Sequence, residues 1–123
     1  MIEKADLREM IKKVMDHPDS TKMGMILTHI GIVRGNSRNG RNVKGIKIRC
    51  DNKKISRIIE DIKKRDGIIE IVVQTNEGLI SVGEMIMVIV VGGDIREHVF
   101  PAIMDAINRI KAEACIKEEI LLD

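Results

Sequence analysis

"TNEGLISVGEMIMVIVVGGD", residues 75–94, reads as a turn, a long apolar strand and the opening of a helix, and it decides the fold. "TNEG" carries turn chemistry. Ile80–Val91 is rich in β-branched residues, with Gly83 placed as a bulge. Its longest uninterrupted apolar run, Met85–Val91, has the length of a strand and not the roughly 18 residues of a membrane helix. "GGD" then opens a helix. Asp94 can cap it, and Glu97 stands three residues later at capping-box spacing.

On the N-terminal side, Ile68–Val73 is a second strand, so the two make a hairpin across "TNEG". Before it, residues 52–65 return to helical period through Ile55, Ile58, Ile59 and Ile62, with Gly67 suited to the position after the C-cap. Residues 3–16 form another helix on Leu7, Met10, Ile11 and Val14, and Pro18 ends it. Met23–Val33 is almost wholly apolar, as a strand covered on both faces would be. From Val43, Ile46, Ile48 and Cys50 alternate with Lys47 and Arg49. These two strands, joined by "VRGNSRNGR" (residues 33–41), read as a second hairpin.

The last helix carries a long stripe from Ile95 through Val99, Ala102, Ile103, Ala106 and Ile107 to Ile110. The tail "CIKEEILLD" is either extended or frayed. The order is α-β-β-α-β-β-α. Two hairpins with helices packed on an antiparallel or mixed sheet place the chain in the α+β class, as a single domain over residues 1–123.

The N-terminus mixes charges from its third residue, so no signal peptide is expected, and the chain reads as soluble and cytoplasmic. Cys50 and Cys115 stand far apart and outside any C-x-x-C pattern. They suggest neither a zinc site nor a disulfide framework, which favours a reducing compartment. The three histidines lack metal spacing, and no metal or cofactor is expected. Phe100 is the only aromatic residue, so there is no platform on which bases could stack.

A net charge of +2 argues against a general polyanion binder, but the distribution is uneven. Arg34, Arg38, Arg41, Lys44, Lys47 and Arg49 fall in one stretch without a single acid. A loop of Gly and Asn shows its N–H groups while Arg offers a planar fork, so the stretch is either a solvated hairpin tip or the flank of a phosphate site. Arg34 is the best fixed, at the end of a buried strand. Arg96, in the first turn of the last helix, opposes the helix dipole. It either pairs with Asp94 or Glu97 or accompanies a bound anion. Lys117 is the only base in the last dozen positions, among Glu113, Glu118, Glu119 and Asp123.

Three stretches, "GIVRGNSRNGRNVKGIKI", "EGLISVGEMIMVIVVGG" and "IREHVFPAIMDAINRIK", stand in an order and spacing that resemble the large, catalytic subunit of molybdopterin synthase. "GIVRGNSRNGR" and "SVGE" are the most specific parts. The resemblance implies an α/β hammerhead-type α+β fold and a homodimer within a heterotetramer. The partner would be a small ubiquitin-like sulfur carrier ending in a Gly-Gly thiocarboxylate. Two sulfurs would pass from such carriers to cyclic pyranopterin monophosphate, forming molybdopterin for molybdenum cofactor biosynthesis.

Carried over residue by residue, Arg34 matches the arginine of G-x-V-R and Arg96 the arginine of the helix-start H-R. Lys117 matches the catalytic lysine of W-K-x-E through "IKEE". The match runs without gaps from Arg96 to Lys111, and Lys111 joins Arg38 and Arg41 in the implied phosphate-binding set. The chain departs from the pattern at Thr75 and Asn76, where the family has H-R, at Ile95 for the helix-start His, and at Ile116 for Trp. His98 is a candidate replacement for one lost imidazole. Continued without a gap, the alignment would put Glu118 at the lysine position. A second reading is therefore a degenerate homologue acting as a carrier- or anion-binding dimer. RNA binding through the basic loop ranks last, given the near-neutral charge and absent aromatics.

Overall fold

The computed structural model describes residues 1–122, with the side chains of residues 4 and 5 left aside, so Asp123 of the expected tail lies outside the described residues. The elements are α1 (Lys4–Met15), β1 (Met25–Ile32), β2 (Val43–Cys50), α2 (Asn52–Lys63), β3 (Ile68–Thr75), β4 (Gly78–Ser81), β5 (Met85–Gly93), α3 (Arg96–Arg109) and β6 (Cys115–Leu121). A short 3-10 turn (Ser20–Lys22) precedes β1, and a π-helical turn (Ile110–Ala114) joins α3 to β6. No described helix is long and apolar enough to cross a membrane.

The strands form two antiparallel sheets, β1-β5-β3 and β4-β2-β6. β5 is the centre of the first, and its apolar sequence is explained by cover on both faces. Val88 and Val90 pack with Met10 and Val14 of α1. Met87, Ile89 and Val91 turn the other way, onto Ile55, Ile58 and Ile62 of α2 and Val99, Ala102 and Ala106 of α3. The helices present these residues at the period that makes one apolar face. Asp51 caps α2, its carboxylate accepting from the N–H groups of Lys53 (3.0 Å) and Lys54 (3.3 Å). The second sheet buries Ile46, Ile48 and Ile80 against Val33.

The α+β class stands, with two sheets and a sixth strand where the sequence suggested two hairpins and a closing tail. β1 and β2 do not form the expected hairpin. β1 pairs with β5, while β2 pairs with β4 and β6. Alternation in β2 and a continuous apolar run in β1 were compatible with pairing, but the two join different sheets. The cover on both faces expected of Met23–Val33 belongs to the central β5: β1 lies at the sheet edge with Thr28, Ile30 and Ile32 exposed. The second hairpin holds for β3 and β5, which pair from Ile68↔Gly93 to Thr75↔Met87. Between them the chain breaks away as β4 to join the other sheet.

Gly83 is accordingly not a bulge within a strand. It lies in the turn between β4 and β5 at φ +89, a left-handed conformation that suits glycine, and its N–H donates to Val33 C=O at 2.9 Å. The α3 capping box does not form either. Ile95 is the N-cap, and the Asp94 carboxylate accepts from Ile95 N–H (2.6 Å) and meets His98 Nδ1 (2.8 Å). Glu97 instead pairs with Arg96. Gly67, at φ +79, sits three residues past the C-cap Lys64, directly under the Asp94–His98 pair where a β-carbon would collide.

Cys50 and Cys115 are the clearest correction. They stand opposite one another in the β2–β6 ladder with Cα atoms 4.1 Å apart, and they are joined by a disulfide across 65 residues of sequence. Their separation along the chain hid a pairing that the topology creates.

Candidate functional site

Arg34 and Lys117 line one small hollow of about 60 Å³. Its floor is apolar, made by Val33, Val43, Ile46 and Ile86, and its polar rim adds Asn36 and Glu119. Arg34 leaves the end of β1 just after the buried Val33. Lys117 comes from β6, whose register against β2 sets Lys117 opposite Ile48 and Glu119 opposite Ile46. Directly opposed residues of an antiparallel pair share a face. Lys117 and Glu119 therefore stand on the side of the buried Ile46 and Ile48. Glu118, opposite Lys47, and Ile116, opposite Arg49, stand on the outer face, and Ile116 is 78% exposed.

The basic loop after Arg34 is folded on itself. Asn36 and Asn42 form an isolated bridge, Ser37 N–H donates to Arg41 C=O (2.8 Å), and Val43 N–H donates to Gly35 C=O (2.9 Å). Ser37 is buried beneath it, while Arg38 and Arg41 are exposed. Among the described residues no carboxylate forms an ion pair with Arg34, Arg38, Arg41, Lys111 or Lys117.

The remaining expected residues lie elsewhere in the chain. Arg96 is at the start of α3, highly exposed, with Nε 3.3 Å from Glu97 Oε1, beside an open hollow that it shares with Gly24, Asp94 and Phe100. His98 is tied to Asp94, and that hydrogen bond is the main cause of the Asp94 carboxyl's pKa falling below the usual aspartate value. Lys111 projects from the π-helical turn. Its charge adds to burial in lowering the pKa of His29, burial being the larger cause. Within one chain, then, Arg34 and Lys117 come together, with Arg38 and Arg41 on the adjoining loop. Arg96 and His98 do not join them.

Three features escaped the sequence reading. Glu119 brings a carboxylate into the hollow, two residues after Lys117, as strand alternation would have given once the tail was known to be extended. His29 Nε2 is buried without a hydrogen-bond partner. Asn76 is a buried structural residue (5% exposed): its Oδ1 accepts from Ile2 N–H at 2.9 Å and its Nδ2 donates to Met85 C=O at 2.7 Å.

Fold and hollow together define an α+β protein of two antiparallel sheets, with an arginine and a lysine lining a hollow of apolar floor. The pattern of the MoaE protein family matches residues 2–113, which takes in Arg34, Arg38, Arg41, Arg96, His98 and Lys111 and ends before Lys117. The chain belongs to the MoaE protein family. None of the curated proteins matches it. Among solved structures it is similar to molybdopterin synthase from Staphylococcus aureus, at 23% identity over 99% of this chain and 87% of that one, with a TM-score of 0.78. It is also similar to molybdopterin cofactor biosynthesis protein E from Burkholderia multivorans, at 18% identity over 95% and 82%, TM-score 0.74. A third is the complex of subunits 1 and 2 of molybdopterin-converting factor from Helicobacter pylori, at 18% identity over 96% and 84%, TM-score 0.67. These likenesses establish the shared fold.

Proposed function

We propose that this protein is the large subunit of a molybdopterin synthase, working in molybdenum cofactor biosynthesis. It would pass sulfur from the thiocarboxylate of a small ubiquitin-like carrier to cyclic pyranopterin monophosphate. Membership of the MoaE family supports the pathway. The paired subunits of the Helicobacter pylori complex support a small-subunit partner. The observation that carries the reading is the shared hollow of Arg34 and Lys117 at the end of β1.

In this reading Arg34 holds a phosphate oxygen as a planar two-pronged donor, and Arg38 and Arg41 extend the positive field at the rim. Lys117 supplies an ammonium to charge developing on the thiocarboxylate carbonyl, or, deprotonated, acts as a base. Arg96 and Lys111 belong to the same phosphate-binding set only if a second copy of the chain brings them to the hollow, as the homodimer would require. Each carrier gives up one sulfur and leaves as a carboxylate, so two carriers are consumed per product.

The second reading, a carrier- or anion-binding module without turnover, is favoured by Glu119 in the hollow and by Asn76 being committed to the fold. Reconstitution with a thiocarboxylated carrier and the pterin substrate separates the two. Product formed by the wild type and lost in Lys117→Ala supports the enzyme. A folded, carrier-binding wild type that forms no product leaves the binding module.

A further inference from the structure

The Cys50–Cys115 bond lies beside the proposed catalytic lysine. Cys115 precedes Lys117 by two residues on the same face of β6, and Cys50 stands opposite Cys115 on β2. Both cysteines are half-buried, packed at the junction between the Val33–Ile46–Ile48–Ile80 cluster and the larger core under α2 and α3. Around the bond the backbone is tightly held: Asp51 N–H donates to Ala114 C=O (2.7 Å), and Cys50 N–H donates to the Glu77 carboxylate (2.6 Å).

Beyond the bond the strand is weakly anchored. β6 is an edge strand, paired on one side only. Ile116, Lys117, Glu118 and Glu119 are all exposed, and only Ile120 and Leu121 are half-buried before Leu122 N–H meets Asn42 C=O at 3.1 Å. Segments with few buried contacts and an open edge exchange locally at low cost. The disulfide is thus the main covalent and apolar anchor at the end of β6 nearer Lys117.

We propose that Cys50 and Cys115 form a reversible dithiol–disulfide pair that governs the order of β6 and, with it, the placement of Lys117. Its substrates are a small dithiol in one direction and a disulfide in the other. In reduction two electrons and two protons pass from the dithiol, the Cys50–Cys115 bond breaks to two thiols, and the reductant closes its own S–S bond. Oxidation is the reverse. The closed form fixes the start of β6 against β2 covalently, and the open form leaves that start to the ladder, the Asp51–Ala114 hydrogen bond and the packing of the two half-buried cysteines. The consequence for catalysis rests on the function proposed above; the change in strand order does not.

The test uses the full chain equilibrated in dithiothreitol buffers of graded oxidised-to-reduced ratio. Free thiols are counted by maleimide mass tagging, and amide hydrogen exchange is followed peptide by peptide. The expected result is no free thiol at the oxidising end, two at the reducing end, and full reversal between them. On reduction, exchange at residues 116–121 should quicken by about tenfold or more while β1, β3 and β5 stay unchanged. Two free thiols in every buffer would overturn the pair, and unchanged exchange at 116–121 on reduction would overturn the control of β6. Cys50→Ser and Cys115→Ser should each exchange at the reduced rate in both buffers. If either variant also loosens β1, β3 and β5, the wild type in the two buffers decides. Exchange is read without substrate, so absence of synthase turnover would count against the proposed function alone.

Discussion

Lys117 stands opposite Ile48 in the β2–β6 ladder, and that pairing sets it on the face of the sheet where it lines one hollow with Arg34. Glu118, the residue an ungapped continuation of the family pattern would select, stands opposite Lys47 on the other face. Lys117→Ala should therefore lower synthase turnover by about 10²–10³-fold, in the range of losing one charge-stabilising group. Glu118→Ala should stay within about twofold. Steady-state kinetics on both variants decide the register, and equal losses would refute it. Lys117 is exposed, so its removal should move the denaturation midpoint very little.

Arg34→Ala should act on substrate affinity. A charge-assisted hydrogen bond contributes about 1.5–3 kcal/mol, which corresponds to about a 10–150-fold rise in KM or Kd for the pterin phosphate. Arg38→Ala and Arg41→Ala, exposed on the loop, should cost several-fold at most and lose even that at high salt. Isothermal titration at two ionic strengths distinguishes the two kinds of arginine.

Asn76 should matter to stability and not to chemistry. Asn76→Ala strips the partners from Ile2 N–H and Met85 C=O in a buried place, at a cost of about 1–3 kcal/mol. Urea unfolding measures it, and synthase kinetics at a temperature well below the transition should be unaltered.

The disulfide predicts a redox-dependent stability. Closing 65 residues corresponds to about 4 kcal/mol in the chain-entropy description. Urea midpoints should drop on adding reductant to the wild type and should be insensitive to reductant in Cys115→Ser.

His29 gives a pH dependence. Burial holds its pKa below the ordinary 6.5, so the folded protein binds its proton less readily than the unfolded chain does. Its contribution is complete above pH 6.5 and declines as the pH falls from there through the folded value. His29→Leu, which also removes the unpartnered Nε2, should flatten the stability profile between pH 7 and 5. Denaturation midpoints across that range provide the check.

Local rules carried the sequence reading where one element met one neighbour. The stripes of α1 and α2 and the β-rich run of β5 announced themselves, because each needs only its own period and a covered face. Pairing was harder. Nothing in Met23–Val33 or Val43–Cys50 says that they join different sheets, since a loop rich in Gly and Asn suits a hairpin and a crossover alike. The same gap hid the Cys50–Cys115 bond. At the site, Arg34 was legible from its place at the end of an apolar run, just after Val33, which the structure buries. Glu119 and the face of Lys117 were not, because they depend on knowing that the tail is a strand and against which residue it starts.

The Cys50–Cys115 bond makes the spacing from Cys115 to Lys117 a matter of parity. A single codon gained or lost between them would turn Lys117 to the face now held by Glu118 and Ile116, whereas one gained or lost in the π-helical turn at Ile110–Ala114 lies before the bonded pair and leaves that face unchanged. Changes of two residues would be silent in this respect. In the function proposed above, a one-residue shift would be enough to remove the amine from the hollow with no substitution at all.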